Sequence, residues 1–141
     1  MSIRTKVIRK GKASQVSKAY ERKVQQIIAA SAQMVRNTAV TSIQEHGSSG
    51  ITYEKYNPRR THTASSDGNP PNTDTGYLAN NIFEVIDGDK MGASVESRAE
   101  YSEFLEFGTS KMDARPFMQP ALEENRPKIR RMFKRLKGSG L

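Results

Sequence analysis

The chain has 141 residues, long enough for one domain with a real core and too short for two ordinary ones. It contains no Cys, which excludes a disulfide framework, a thiolate zinc site and a cysteine nucleophile, and no stretch approaches the roughly 18–20 apolar residues of a membrane helix. The net charge of +8 is unevenly spread: residues 1–23 carry eight Lys/Arg against Glu21, residues 126–138 carry seven and no acid, and the span between them is net −6. Basic ends of this kind neutralise phosphates, dock on another subunit's acidic body or stay solvated, and all three readings stand on charge alone. Counted with Gly, the apolar share is below the roughly 45–50% of ordinary globular chains, so part of the chain is expected in loops, tails or a partner's interface. The Lys/Arg-rich start lacks the apolar run of a secretory signal and reads as unexported.

Residues 1–13 read as a basic N-terminal arm ahead of a single domain spanning 14–137. From Ser14 to about Glu45, Val16, Tyr20, Val24, Ile27, Ser31, Val35, Thr38 and Ser42 recur at spacings of three and four, which predicts one long amphipathic helix. Its face thins to small residues past Val35, which suits packing against a sheet more than a coiled-coil seam. Residues 47–75 are dominated by Gly, Ser, Thr, Asn, Asp and Pro and read as a long polar loop, with one island, Ile51 to Tyr56, able to form a short strand. Tyr53 and Tyr56 are candidate anchors by which such a loop orders on a neighbour; a plain solvated loop is the alternative.

Two β-type segments follow, Leu78 to Ile86 and Met91 to Ser97, with Asp87-Gly88 between them as a hairpin signal. Ile82, Glu84 and Ile86 would share one face and Phe83 and Val85 the other, leaving apolar residues on both sides, one for the helix and one for a partner. Tyr101, Phe104 and Leu105 have the spacing of a short helix that stops at Gly108. Pro116 forces an extended approach to a final helix, about Phe117 to Lys137, in which Met118, Leu122, Ile129, Met132, Phe133 and Leu136 keep phase across Pro127, favouring one helix kinked there over two. Residues 138–141 read as a flexible tail. The fold class expected is α+β, with a long N-terminal helix and a C-terminal helix packed on a small antiparallel sheet.

Catalytic equipment is sparse. Glu100, Glu103, Glu106 and Asp113 cluster near the short helix, but acids three apart on a helix turn are ordinary solvated or ion-pairing groups. His46 and His62 have no metal-ligand spacing to a second His or carboxylate. There is no Gly-x-Gly-x-x-Gly, no Walker motif and no Gly-x-Ser-x-Gly elbow. The expectation is no catalytic residues, no cofactor and no metal.

One string of residues resembles a known family. Ala99-Glu100-Tyr101-Ser102-Glu103-Phe104-Leu105-Glu106-Phe107-Gly108-Thr109, followed after a short gap by Ala114-Arg115-Pro116-Phe117-Met118-Gln119-Pro120-Ala121-Leu122, is similar to the motif of the head-tail joining family (neck, tail-completion or minor tail component proteins) of long-tailed, non-contractile bacteriophages. That motif runs from an Ala and Tyr to apolar-Glu-aromatic-Gly-Thr, then Ala-Arg-Pro-Phe and Pro-Ala before the last helix. Thr75-Gly76-Tyr77-Leu78 resembles the family's Thr-Gly-x-Leu ahead of its first long strand. The likeness covers about residues 14–137; the long polar loop before Thr75 and Pro127 in the last helix depart from it.

The resemblance implies a structural virion protein without enzymatic activity, assembled in the host cytoplasm and located in the neck or tail. Its copies would form a homo-oligomeric ring between the portal-side connector and the tail tube. Partners would be connector or head-completion proteins and tail-terminator or tail-tube proteins, with DNA passing without sequence-specific contact and no membrane. A tail-terminator role is the alternative within that assembly, and a small basic DNA-binding protein the alternative outside it. In the motif, Gly108 is expected to end the short helix, Pro116 to fix the approach, Phe117 and Leu122 to plug the last helix into the core, and Arg115 to pair with Glu106. Arg130, Arg131, Lys134 and Arg135 on the last helix are candidate interface residues.

Overall fold

The computed structural model describes residues 3–8, 18–45, 52–56, 59–63, 70–71 and 75–138, with side chains placed in 18–45, 70–71 and 75–138. In chain order the elements are β1 (Ile3–Ile8), α1 (Lys18–Glu45), β2 (Thr52–Tyr56), β3 (Arg59–Thr63), α2 (Tyr77–Asn80), β4 (Ile82–Asp87), β5 (Gly92–Ser97), α3 (Ser102–Phe107) and α4 (Met118–Gly138). The fold is α+β: α1 and α4 pack on each other and on a small antiparallel sheet of order β1-β5-β4.

The two faces of α1 explain its composition. Val24, Ile28, Ala32, Val35, Ala39 and Ile43, spaced by three and four, are all essentially inaccessible to solvent. Ile28 and Ala29 line one groove with the β4-β5 hairpin, while Ile27 and Ala30 line another with Met132 and Leu136 of α4. Val24, Ser31 and Val35 of the stripe expected from sequence are buried; at Ile27, Thr38 and Ser42 the buried position is instead the next residue, Ile28, Ala39 and Ile43, with Ile27 and Thr38 on the flank toward α4. Ser31 is buried at no polar cost, because its hydroxyl donates to the Ile27 carbonyl at 2.6 Å.

Every residue of the central strand β5 is buried. It pairs antiparallel with β4, Ile82 opposite Ser97 and Asp87 opposite Gly92, and on its other edge with β1, Ile3 opposite Ser97 and Ile8 opposite Gly92. Residues 3–8, expected as part of a basic arm, are therefore a third strand. The alternation Ile3, Thr5, Val7 carries the β signal, and the charges at Arg4 and Lys6 masked it. A charged edge strand is also a common way to keep sheets from pairing edge to edge.

Other expectations shift. The stretch from Leu78 does not run straight into a strand: Gly76, at φ 78° and ψ 0°, opens the single turn α2, with the Asn80 amide donating to the Gly76 carbonyl at 2.9 Å, and β4 starts at Ile82. The β4-β5 hairpin forms as expected, but the left-handed residue in its loop is Met91, at φ 48°, not Gly88. Within the span read as a long polar loop, β2 and β3 form a separate two-stranded antiparallel sheet with Tyr53 opposite His62 and Tyr56 opposite Arg59. His46 and the remainder of that span lie outside the described residues, as do residues 139–141 of the expected tail. Last, α4 is one continuous helix through Pro127, in keeping with the unbroken apolar phase.

Candidate functional site

The block from Tyr101 to Ala121 is where local structure and exposure part company. Helix α3 begins after Ala99, which is fully buried, and turns inward Ser102 and Glu106 rather than its aromatics. The Ser102 hydroxyl is hydrogen-bonded to that of Ser97 at the end of β5, both out of solvent. Glu106, only 6% exposed, accepts three amides: those of Phe117 and Met118 donate to Oε2 at 2.9 and 3.0 Å, and that of Gln119 to Oε1 at 2.8 Å. A carboxylate at this place satisfies the orphan donors of the α4 N-terminus and lies at the positive end of the helix dipole. Sequence reading gave Glu106 a partner in Arg115; the structure gives it the backbone of the last helix. The contact spans 11–13 residues, so the short-range capping-box spacing that sequence inspection detects was not there to find.

The chain between α3 and α4 is equally determined. The Gly108 amide donates to the Phe104 carbonyl at 2.8 Å, Thr109 and Met112 form a bridge closed by the Thr109 amide on the Met112 carbonyl at 2.8 Å, and the Arg115 amide donates to the Leu105 carbonyl at 2.6 Å. Gly108 sits at φ 75° and ψ 178°, a region essentially confined to glycine, and a Cβ there would lie 2.9 Å from the Ala114 nitrogen and the Met112 oxygen. Phe117 is buried at the mouth of α4, with Met118 and Ala121 beside it and Leu122 partly covered; Pro116 is half-buried and Pro120 exposed.

With the inward positions taken by Ser102 and Glu106, the aromatics of the block are left outside. Tyr101 at the N-cap of α3 and Phe104 and Phe107 within it, at intervals of three, are 41%, 55% and 70% exposed. Tyr77, at the start of α2, brings its ring centroid to 6.1 Å from that of Tyr101. On the neighbouring strand the half-exposed ring of Phe83 carries the Arg98 guanidinium 4.4 Å above it, and Ile86 is exposed on the same strand. Tyr77, Tyr101, Phe104 and Phe107 thus leave apolar surface on the outer side of the block. Spacing alone read Tyr101, Phe104 and Leu105 as one helical face; only Leu105 turns toward the core.

Of the other residues singled out from sequence, Thr75 is exposed ahead of Gly76, and Leu78 is buried in the core. Tyr53 and Tyr56 lie in β2, with side chains outside the described residues. Arg130, Arg131, Lys134 and Arg135 are exposed along α4, far along the helix from its Glu106-capped start. Glu100 and Asp113 are exposed and Glu103 half-exposed near the ridge. Among the described residues no group of three or more His, Asp or Glu is placed to hold a metal ion, and no helix is long and apolar enough to cross a membrane. No family model, curated protein or solved structure matches this chain.

Proposed function

We propose that the chain is a structural subunit of a tailed-phage neck, a head-tail joining or tail-completion protein that works by oligomerising into a ring between the portal-side connector and the tail tube and performs no catalysis. One observation carries the reading: the Tyr101 to Ala121 block, whose residues resemble the head-tail joining motif, locks its own backbone with buried hydrogen bonds while turning Tyr101, Phe104 and Phe107 to solvent. A rigid frame holding exposed aromatics suits an assembly surface, since interface anchors are rich in aromatics and ordered in advance. The test is deletion of the gene from the encoding phage. DNA-filled heads and unattached tails, with the protein located at the neck of intact particles, are expected; normal virions, or the protein absent from them, reject the reading.

The exposed cations of α4 favour a second reading, a small basic DNA-binding protein. It requires tight binding that falls steeply as salt rises, with DNA as the partner. A salt titration of DNA affinity separates the two, because a neck subunit shows at most weak binding without sequence preference.

A further inference from the structure

At the far end of α4 from the aromatic ridge lies an open groove of about 400 Å³ between α1 and α4. Ile27, Ala30, Met132 and Leu136 make its floor, and two cations, Lys23 and Arg135, stand at its rim. Floor and rim together call for an apolar or aromatic side chain flanked by acid. This chain carries such a group on its own surface: Phe104 and Phe107, the most exposed aromatics described, with Glu103 between Phe104 and Tyr101 in the same helix and Glu100 just before it. A second groove, between α1 and the β4-β5 hairpin, is also mainly apolar, but its lining carries one acid, Asp87, as well as one cation, Arg22, and lacks the paired cations.

Ridge and groove cannot meet within one molecule. Glu106 pins α3 to the first residues of α4, and Arg135 lies 17 residues beyond Met118 in the same unbroken helix, roughly 25 Å along its axis at the usual rise. We infer that the α3 ridge of one copy docks in the α1-α4 groove of the next, Phe107 entering the apolar floor and Glu103 facing Lys23 and Arg135. The contact joins two different surfaces, so it is heterologous and repeats head to tail, the geometry from which rings close. Complementary charge sets direction and register, while the aromatics supply most of the binding. The inference names the surface used by the assembly reading above and depends on that reading only for where the ring is placed.

Because the chain has no Cys, single-cysteine variants are a clean probe. Ser110→Cys, just past the ridge, and Gln26→Cys, in the groove lining, both at exposed positions that leave Phe107, Glu103, Lys23 and Arg135 in place, are purified separately, checked for unchanged circular dichroism, then oxidised alone and mixed. A covalent dimer formed several-fold more in the mixture than in either sample alone is expected. Dimer from Ser110→Cys alone at the same level would show ridge against ridge and overturn the inference. In the native chain, Phe107→Ala and Glu103→Lys should each weaken self-association several-fold in sedimentation, and Lys23→Glu added to Glu103→Lys should restore part of it. A native chain monomeric at its highest soluble concentration overturns the inference, as does association indifferent to Phe107→Ala. That last outcome leaves the neck reading intact, whereas cross-linking as expected with the protein absent from virions rejects only the neck reading.

Discussion

Pro120 occupies the one position in the first turn of α4 whose backbone the Glu106 carboxylate does not serve. Glu106 takes the amides of residues 117, 118 and 119, and the next residue, being proline, has no amide to leave unsatisfied. One buried side chain and one missing donor thus account for all four orphan positions at this helix end. They also tie α3 to α4, so the exposed ridge is held at a fixed angle to the last helix.

An order of stabilities follows. Glu106→Ala strips three amides of their acceptor, two of them on buried residues, and should cost on the order of 2–4 kcal/mol. Glu106→Gln keeps one carbonyl oxygen but loses the charge and the second acceptor, and should cost about half as much. Pro120→Ala acts mainly by loosening the unfolded chain and should cost about 0.4–1 kcal/mol. Urea denaturation of the three variants gives the ranking; equal losses in Glu106→Ala and Pro120→Ala would show that the carboxylate is not the cap.

Gly108 and Gly88 form a matched pair. At Gly108 a Cβ would meet two backbone atoms at 2.9 Å in a backbone region that only glycine occupies comfortably, so Gly108→Ala should cost about 3 kcal/mol or more. At Gly88, in the hairpin loop, a Cβ meets nothing within 4 Å, and Gly88→Ala should fall within about 0.5 kcal/mol of the native chain. Thermal melts followed by circular dichroism would show the difference, and a Gly108→Ala variant as stable as Gly88→Ala would refute the account of the turn.

The architecture was legible in the sequence where periodicity was strong. The α1 and α4 patterns, the Asp-Gly hairpin and the Phe117 plug were all readable, because each depends on neighbours within a turn or a strand. β1 was not, since Arg4 and Lys6 dominate its composition and its partner, β5, lies some 90 residues away in the register pairing. The Tyr101 to Ala121 block stood out in the sequence by its motif, but which of its side chains turn inward did not. The spacing of Tyr101, Phe104 and Leu105 put them on one helical face, yet the buried members of α3 are Ser102 and Glu106, whose partners on β5 and α4 exist only after folding. Polar residues that pay for burial with long-range hydrogen bonds leave no local signature.

Asn125 belongs to the same class. It is buried within α4, and its Nδ2 donates at 2.8 Å both to the Thr38 hydroxyl of α1 and to the Ala121 carbonyl. Asn125→Ala should cost roughly 1–3 kcal/mol, and Thr38→Val, which leaves the amide its second acceptor, about 1 kcal/mol. A double-mutant cycle should give a coupling of about 0.5 kcal/mol or more. Strict additivity would show that the bond does not join the two helices.

The last prediction separates the frame from the surface it presents. Phe117→Ala removes a buried aromatic at the mouth of α4 and should cost roughly 3–5 kcal/mol, enough to unfold a marginal domain. Replacing Arg130, Arg131, Lys134 and Arg135 together with Gln should leave the melting temperature nearly unchanged, because exposed charges spread along one helix contribute little to folding. On the proposed neck role, its defect should appear in association: weaker self-assembly of the purified chain, and filled heads without tails in the encoding phage. Equal thermal losses in both variants would show that the basic face is part of the core rather than an interface, and full phage yield after neutralisation would show that these four residues take no part in assembly.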